Sequence, residues 1–199
     1  LTISIKTRKD IFHGISFVVI LAEAININMN KILTLLLIFG FSLTYAQHTE
    51  DEPTDADQTL PEMVIKNSDG EDVNMQSYAA NSKITVISFW ATWCKPCIKE
   101  LKNVNELLDD WIEEYDMELV AVSVDDSRNA MKVKPMVNAF NWDFDILLDP
   151  NGDLQRAMNV ANPPVTFLVN QEGKIVYTHT GYVEGDEYEL EDHIKELVK

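Results

Sequence analysis

An α/β domain with a central mixed β-sheet, helices on both faces and an amino-terminal β-hairpin is the fold class this sequence predicts. Three observations carry it. Ile84–Trp90 is a β-branched and aromatic run suited to a buried central strand. From Cys97 to Tyr115 the apolar residues Leu101, Val104, Leu107, Leu108, Trp111 and Ile112 recur at helical spacing, with acids and lysines between them. Beyond that helix, strand and helix patterns alternate and close on a hairpin and a helix, the order of a mixed sheet covered on both faces.

Taken in order, Met63–Lys66 and Glu71–Met75 read as the two arms of the first hairpin, with Asp69-Gly70 supplying the positive-φ turn residue. Leu119–Val124 is a second buried strand. Ser127 is placed to cap the next helix, which Pro135 breaks or kinks. Phe144–Leu148 is a short strand, and the turn Asp149–Gly152 leads into a brief helix around Asp153–Met158. Val165–Val169 and Lys174–His179 form a hairpin around Gln171–Gly173. The last helix runs from about Asp186 to Val198, with its acids early and its lysines late, as the helix dipole favours.

The amino-terminal third reads as processing information. Met29–Asn30–Lys31, the apolar run Ile32–Leu43 and the small-residue site ending at Ala46 make a signal peptide of residues 29–46. That run is short for a membrane span of about 20 residues, so a cleaved signal leaves no stable membrane insertion. Residues 1–28 are taken as an extension outside the native start at Met29. Residues 47–59, rich in Glu, Asp and Thr, read as an acidic linker, and residues 60–199 as the domain. The expected location is the periplasm or cell envelope.

Bulk composition excludes several functions. The 199 residues carry a formal charge of −17, which repels phosphate backbones and argues against nucleic acid as a partner. Only two cysteines are present, Cys94 and Cys97, too few and too close for a disulfide framework. A zinc site needs two more ligands, and neither His48, His179 nor His193 stands at finger-like spacing, so no metal is expected. His179 and His193 read as surface residues.

The cysteine pair carries redox chemistry. A thiolate attacks a disulfide where a thiol does not. Cys94 falls at a strand-to-helix junction, where helix amides and the dipole stabilise an anion. Cys97, one turn on, can resolve a mixed disulfide on Cys94. Pro96 lacks only an N–H that the first helical turn leaves unused. Lys95 adds a positive charge beside the sulfur, and Trp93 is expected to shield one side of it. Glu100 follows Cys97 by one further turn; as a buried carboxylate it would exchange a proton with Cys97, and as an exposed one it would serve only a surface ion pair.

Phe89–Trp90–Ala91–Thr92–Trp93–Cys94–Lys95–Pro96–Cys97 resembles the thioredoxin superfamily, and from about Leu60 onward the chain is similar to its exported TlpA/ResA-type branch. The resemblance implies a thioredoxin-like fold and a cis-proline facing the cysteines, here Pro164 ahead of Val165–Leu168. It implies no cofactor beyond the redox-active disulfide. It also implies a disulfide reductase of envelope proteins, possible work in cytochrome c maturation, and reducing power from a membrane thiol–disulfide donor. Thioredoxin itself buries an acid where this chain has Ser88, which leaves Glu100 to carry the proton. Pro163 departs from the pattern, because it offers a substrate backbone a carbonyl but no N–H. An oxidase or isomerase is the alternative within the class. A peroxidase or a metal-binding chaperone on the same fold fits less well: Thr92 stands two residues before Cys94, and no dedicated metal histidine is apparent.

Overall fold

The computed structural model describes residues 58–199; the signal peptide, the extension before it and most of the acidic linker lie outside them. A seven-stranded sheet runs through the described residues in the order β2-β1-β5-β4-β3-β6-β7. Its members are β1 (Val64–Asn67), β2 (Asp72–Asn74), β3 (Ile84–Trp90), β4 (Met117–Ser123), β5 (Asp145–Leu148), β6 (Val165–Val169) and β7 (Ile175–Thr180). The helices are α1 (Gln76–Ala79), α2 (Lys95–Tyr115), α3 (Val133–Phe140), α4 (Asp153–Ala157) and α5 (Asp186–Leu197). Strands β3, β4 and β5 are parallel, and the remaining pairings are antiparallel. This is the mixed sheet with flanking helices of a thioredoxin-like fold.

Every residue of β3 is buried, because both faces of the sheet are covered. Side chains alternate between faces along a strand. Accordingly Ile84, Val86 and Trp90 pack with α2, α3 and α5, while Ile87 and Phe89 pack with Tyr78 of α1 and Leu154 of α4. Ser88 shares the face of Val86 and Trp90, so a hydroxyl sits in an otherwise apolar row beneath α2.

Helix α2 turns toward the sheet a stripe of Cys97, Glu100, Leu101, Val104, Leu108, Trp111 and Tyr115. Ile112, expected on that stripe, is instead 44% exposed. It follows Trp111 by one residue, which turns it about a quarter of the way around the helix. The helix also begins two residues earlier than its apolar periodicity suggests, because Lys95 and Pro96 fill its first turn at no hydrogen-bonding cost.

Two further expectations are corrected. Asp126, not Ser127, holds the turn before α3: its carboxylate accepts the amides of Arg128 and Asn129 at 3.1 and 3.0 Å. Pro135 does not end α3 but sits in its first turn, the part of a helix that tolerates a missing N–H. At the amino-terminal side, Gln58 and Thr59, read from sequence as the end of the tether, run against β7. The Gln58 carbonyl accepts the Ile175 amide at 2.8 Å, and Thr59 bridges Lys174.

The β6–β7 turn depends on one glycine. Gly173 has φ +77°, and a Cβ there would lie 2.7 Å from the Ala79 Cβ and 3.0 Å from the Ala79 carbonyl oxygen. Gly173→Ala is therefore expected to cost about 2–3 kcal/mol, through the left-handed backbone and the backbone clash together. A denaturant titration of the variant checks this; an unchanged midpoint would show that the turn rearranges freely.

Candidate redox site

The site forms where β3 ends and α2 begins. Ala91–Trp93 turns the chain, with the Cys94 amide donating to the Ala91 carbonyl at 3.0 Å. Cys94 is the N-cap of α2 in an extended conformation, and its sulfur accepts the Cys97 amide at 3.4 Å. The sulfur thus occupies the position that a capping oxygen takes in other helices, where the positive end of the dipole favours an anion. Cys94 and Cys97 form a disulfide. Cys94 is 5% exposed and Cys97 fully buried, so the first is the more accessible of the two sulfurs.

A buried carboxylate fixes this turn, and the sequence alone did not single it out. Asp125, just after β4, accepts both the Thr92 amide and the Thr92 hydroxyl at 2.7 Å, and the Ser123 hydroxyl at 2.9 Å. It is only 1% exposed. Removing it leaves two or three donors without a partner, each costing about 1–3 kcal/mol if buried. Asp125→Ala is expected to lower stability by about 2–4 kcal/mol and to loosen the turn that presents Cys94. Asp125→Asn keeps one acceptor and should lose less; equal stability of all three proteins would refute the assignment.

Glu100 is 5% exposed, which excludes the surface ion pair as its role. It lies one turn past Cys97 on the same buried side of α2. The Thr166 hydroxyl donates to its Oε1 at 2.6 Å and the Ser88 hydroxyl to its Oε2 at 3.5 Å. Burial pushes the carboxyl up to about 7, outweighing the two hydroxyls, which pull it down; the nearby Asp186 and Glu187 push it further up. A carboxyl balanced near neutrality can both take and return a proton under ordinary conditions.

The peptide bond between Pro163 and Pro164 is cis. Because Phe89 pairs with Val165, the register sets these prolines beside the turn that leads to Cys94. Pro164 is buried and its carbonyl accepts the Gly181 amide at 2.9 Å; Pro163 is half-buried. Trp93 is 61% exposed, and Lys95 and Pro96 are also exposed around the cysteine pair.

Cys94, Cys97 and Glu100 thus come together as one unit on α2, with Trp93, Lys95 and Pro96 at its surface. Ser88 from β3 and Thr166 from β6 were not expected as partners of Glu100. No local spacing links them, since they meet only through the β3–β6 register, in which Ser88 pairs with Thr166. Among the described residues, no three His, Cys, Asp or Glu side chains gather to hold a metal ion, and no helix is long and apolar enough to cross a membrane.

A thioredoxin-like sheet with a dithiol pair capping its first long helix defines a thiol–disulfide oxidoreductase. The chain belongs to the AhpC/TSA family, whose model matches residues 56–178. It is 27% identical over 170 residues to the thiol-disulfide oxidoreductase ResA of Bacillus thuringiensis subsp. konkukian, covering 84% of this chain and 94% of that protein. Among solved structures, a thioredoxin-like protein from Porphyromonas gingivalis is 47% identical with a TM-score of 0.63, over 70% of this chain and 91% of that one. StoA from Bacillus subtilis is 28% identical with a TM-score of 0.54, over 67% and 97% of the two chains.

Proposed function

We propose that this protein is an exported disulfide reductase acting on protein disulfides of the cell envelope, with Glu100 as the proton acceptor of its second step. The observation that carries the reading is the pairing of a buried resolving cysteine with a buried carboxylate one turn away, beneath a cysteine held at a helix N-terminus. The Cys94 thiolate attacks one sulfur of the substrate disulfide, and the other substrate sulfur leaves as a thiolate that takes a proton from water. Glu100 then accepts the Cys97 proton. The Cys97 thiolate attacks the Cys94 sulfur, breaks the mixed disulfide and expels the second substrate thiolate. Two electrons pass from the dithiol to the substrate and leave the Cys94–Cys97 disulfide. A membrane thiol–disulfide donor, working by the same exchange in reverse, returns the dithiol.

Export rests on the 29–46 signal pattern, and reduction on Pro96 in the dipeptide between the cysteines. Haem-attachment cysteines of cytochromes c are one substrate class that such a reductase would serve. The backbone around Pro163 offers an acceptor only, so a bound substrate segment contributes the N–H there.

Direction is tested by potential. The Cys94/Cys97 couple, equilibrated with glutathione, is expected nearer the about −270 mV of thioredoxin than the about −120 mV of a strong oxidant. Insulin disulfide reduction should accompany it. A potential close to the oxidant's value would replace the reductase reading with that of an oxidase, the direction in which Lys95 works by favouring the thiolate.

A further inference from the structure

Glu100 lies on the buried side of α2 with Cys97 and also borders a cleft. This small cleft lies between α2, α5 and the β6–β7 edge, and Thr166, Tyr177, His179, Tyr182, Asp186 and Glu187 are among the residues that line it with Glu100. In the sheet Thr166 pairs with His179, so the hydroxyl bound to Glu100 and the imidazole lie side by side on adjacent strands. The His179 Nε2 lies 3.1 Å from Asp186 Oδ2, in the first turn of α5. Its Nδ1 lies 3.3 Å from the Tyr177 hydroxyl, which also donates to Glu189. His193 stacks on the Tyr177 ring at 3.9 Å and so stands behind the pair, not in the cleft.

The charges around this cleft are lopsided. Asp186 accepts the Val183 amide at 2.7 Å, and Glu187 accepts the Tyr182 hydroxyl at 2.7 Å and the Gly185 amide at 3.0 Å. Burial works to raise the Glu187 carboxyl, but the Tyr182 hydroxyl and the amides outweigh it and hold it below its ordinary value, so it stays charged. Among the described residues, no lysine or arginine lines the cleft. Lys99 of α2 is engaged by Glu184. Among the described residues, His179 is the cleft side chain that hydrogen-bonds Asp186.

We propose that Asp186 and His179 are positioning residues of the exchange reaction: facing Glu100 across the cleft, they set together the charge with which Glu100 meets Cys97. The inference rests on the reading of Glu100 as proton acceptor. Asp186 repels a charged Glu100 and keeps it ready to hold the proton it takes from Cys97. The His179 ring engages Asp186 Oδ2 by a hydrogen bond at 3.1 Å and so limits that repulsion. Neither side chain touches a sulfur, so both act through Glu100.

The test separates the two chemical steps. The reduced protein is mixed with an equivalent of dithiobis-nitrobenzoate, which releases one coloured thiolate on attack by Cys94 and a second on attack by Cys97. The rate of the second release is followed against pH. Asp186→Asn keeps an acceptor for the Val183 amide and is expected to move the midpoint of this profile down by about half a pH unit, a roughly threefold change in proton affinity. His179→Leu removes the hydrogen bond from Asp186 and is expected to move it up by a similar amount. Opposite shifts support the inference; an unmoved midpoint in either folded variant, or shifts of the same sign, overturns it. If His179→Leu does not fold, His179→Gln with the same readout takes its place. Glu100→Gln is measured alongside. If that variant keeps the wild-type profile, the proton-acceptor reading itself fails. If it alone changes the profile, only the role of Asp186 and His179 falls.

Discussion

Cys94→Ser is expected to abolish disulfide exchange altogether, while Cys97→Ser should still attack substrates and remain joined to them. The difference follows from position. Cys94 caps α2, its sulfur accepts an α2 amide, and it is the less buried of the pair. Cys97 lies wholly beneath the surface, so its sulfur meets only a partner already bound to Cys94. Substitution of the attacking sulfur by a hydroxyl removes the nucleophile, because serine is not ionised near neutrality and does not form a disulfide. Non-reducing electrophoresis of Cys97→Ser with envelope extracts should show mixed disulfides that dithiothreitol releases. In the reduced protein, Cys94 should alkylate before Cys97 at pH 6; the reverse order would exchange the two roles.

The second large effect concerns Glu100 and pH. In the folded protein this carboxyl holds its proton up to about pH 7, against an ordinary value of 4.5. Between those limits the folded state binds a proton that the unfolded chain has released. Stability therefore falls as pH rises through that window and levels off above it. The displacement corresponds to about 3 kcal/mol of stability present in acid and absent at pH 8. Glu100→Gln retains an acceptor for the Thr166 hydroxyl and carries no charge at any pH. It should gain about 2–3 kcal/mol over wild type at pH 8, with little difference at pH 4.5. Denaturant titrations of the two oxidised proteins decide this, and parallel stability curves would show that Glu100 is not desolvated in solution. The same substitution should slow exchange, by less than the about 10²–10⁴ of general acid–base catalysis since the first attack starts from a thiolate. The site thus trades stability at neutral pH for a carboxylate near the sulfur.

Much of this arrangement was legible in the chain. The central strands announce themselves because both faces are covered, so β3 and β4 are nearly unbroken apolar runs. The cysteine pair shows because both its spacing and its place between strand and helix are local. What escaped is non-local. Ser88, Thr166 and Glu100 converge from β3, β6 and α2, and Asp125 reaches Thr92 across 33 positions. No window of sequence contains such a set. His179 looked like a surface histidine for the same reason, since only the pairing of β7 with β6 brings it beside Thr166. Helix α2 failed differently: periodicity marked a stripe but not its width, so Ile112 was admitted to the buried face. Glu100, an acid in the middle of that stripe, was readable only as one of two possibilities.

The two borders of the sheet bear on how the molecule behaves when crowded. An open strand edge invites another chain to add to it, and fibrils grow in this way. Here one border is β2, three residues long and carrying Asp72, which is joined to Lys66 by an ion pair. The other is β7, whose first residue is already bonded to Gln58. The first border thus offers another chain only a short, charged rung, and the second is engaged where β7 begins. Addition of a further strand should therefore be disfavoured at β2 and at the start of β7.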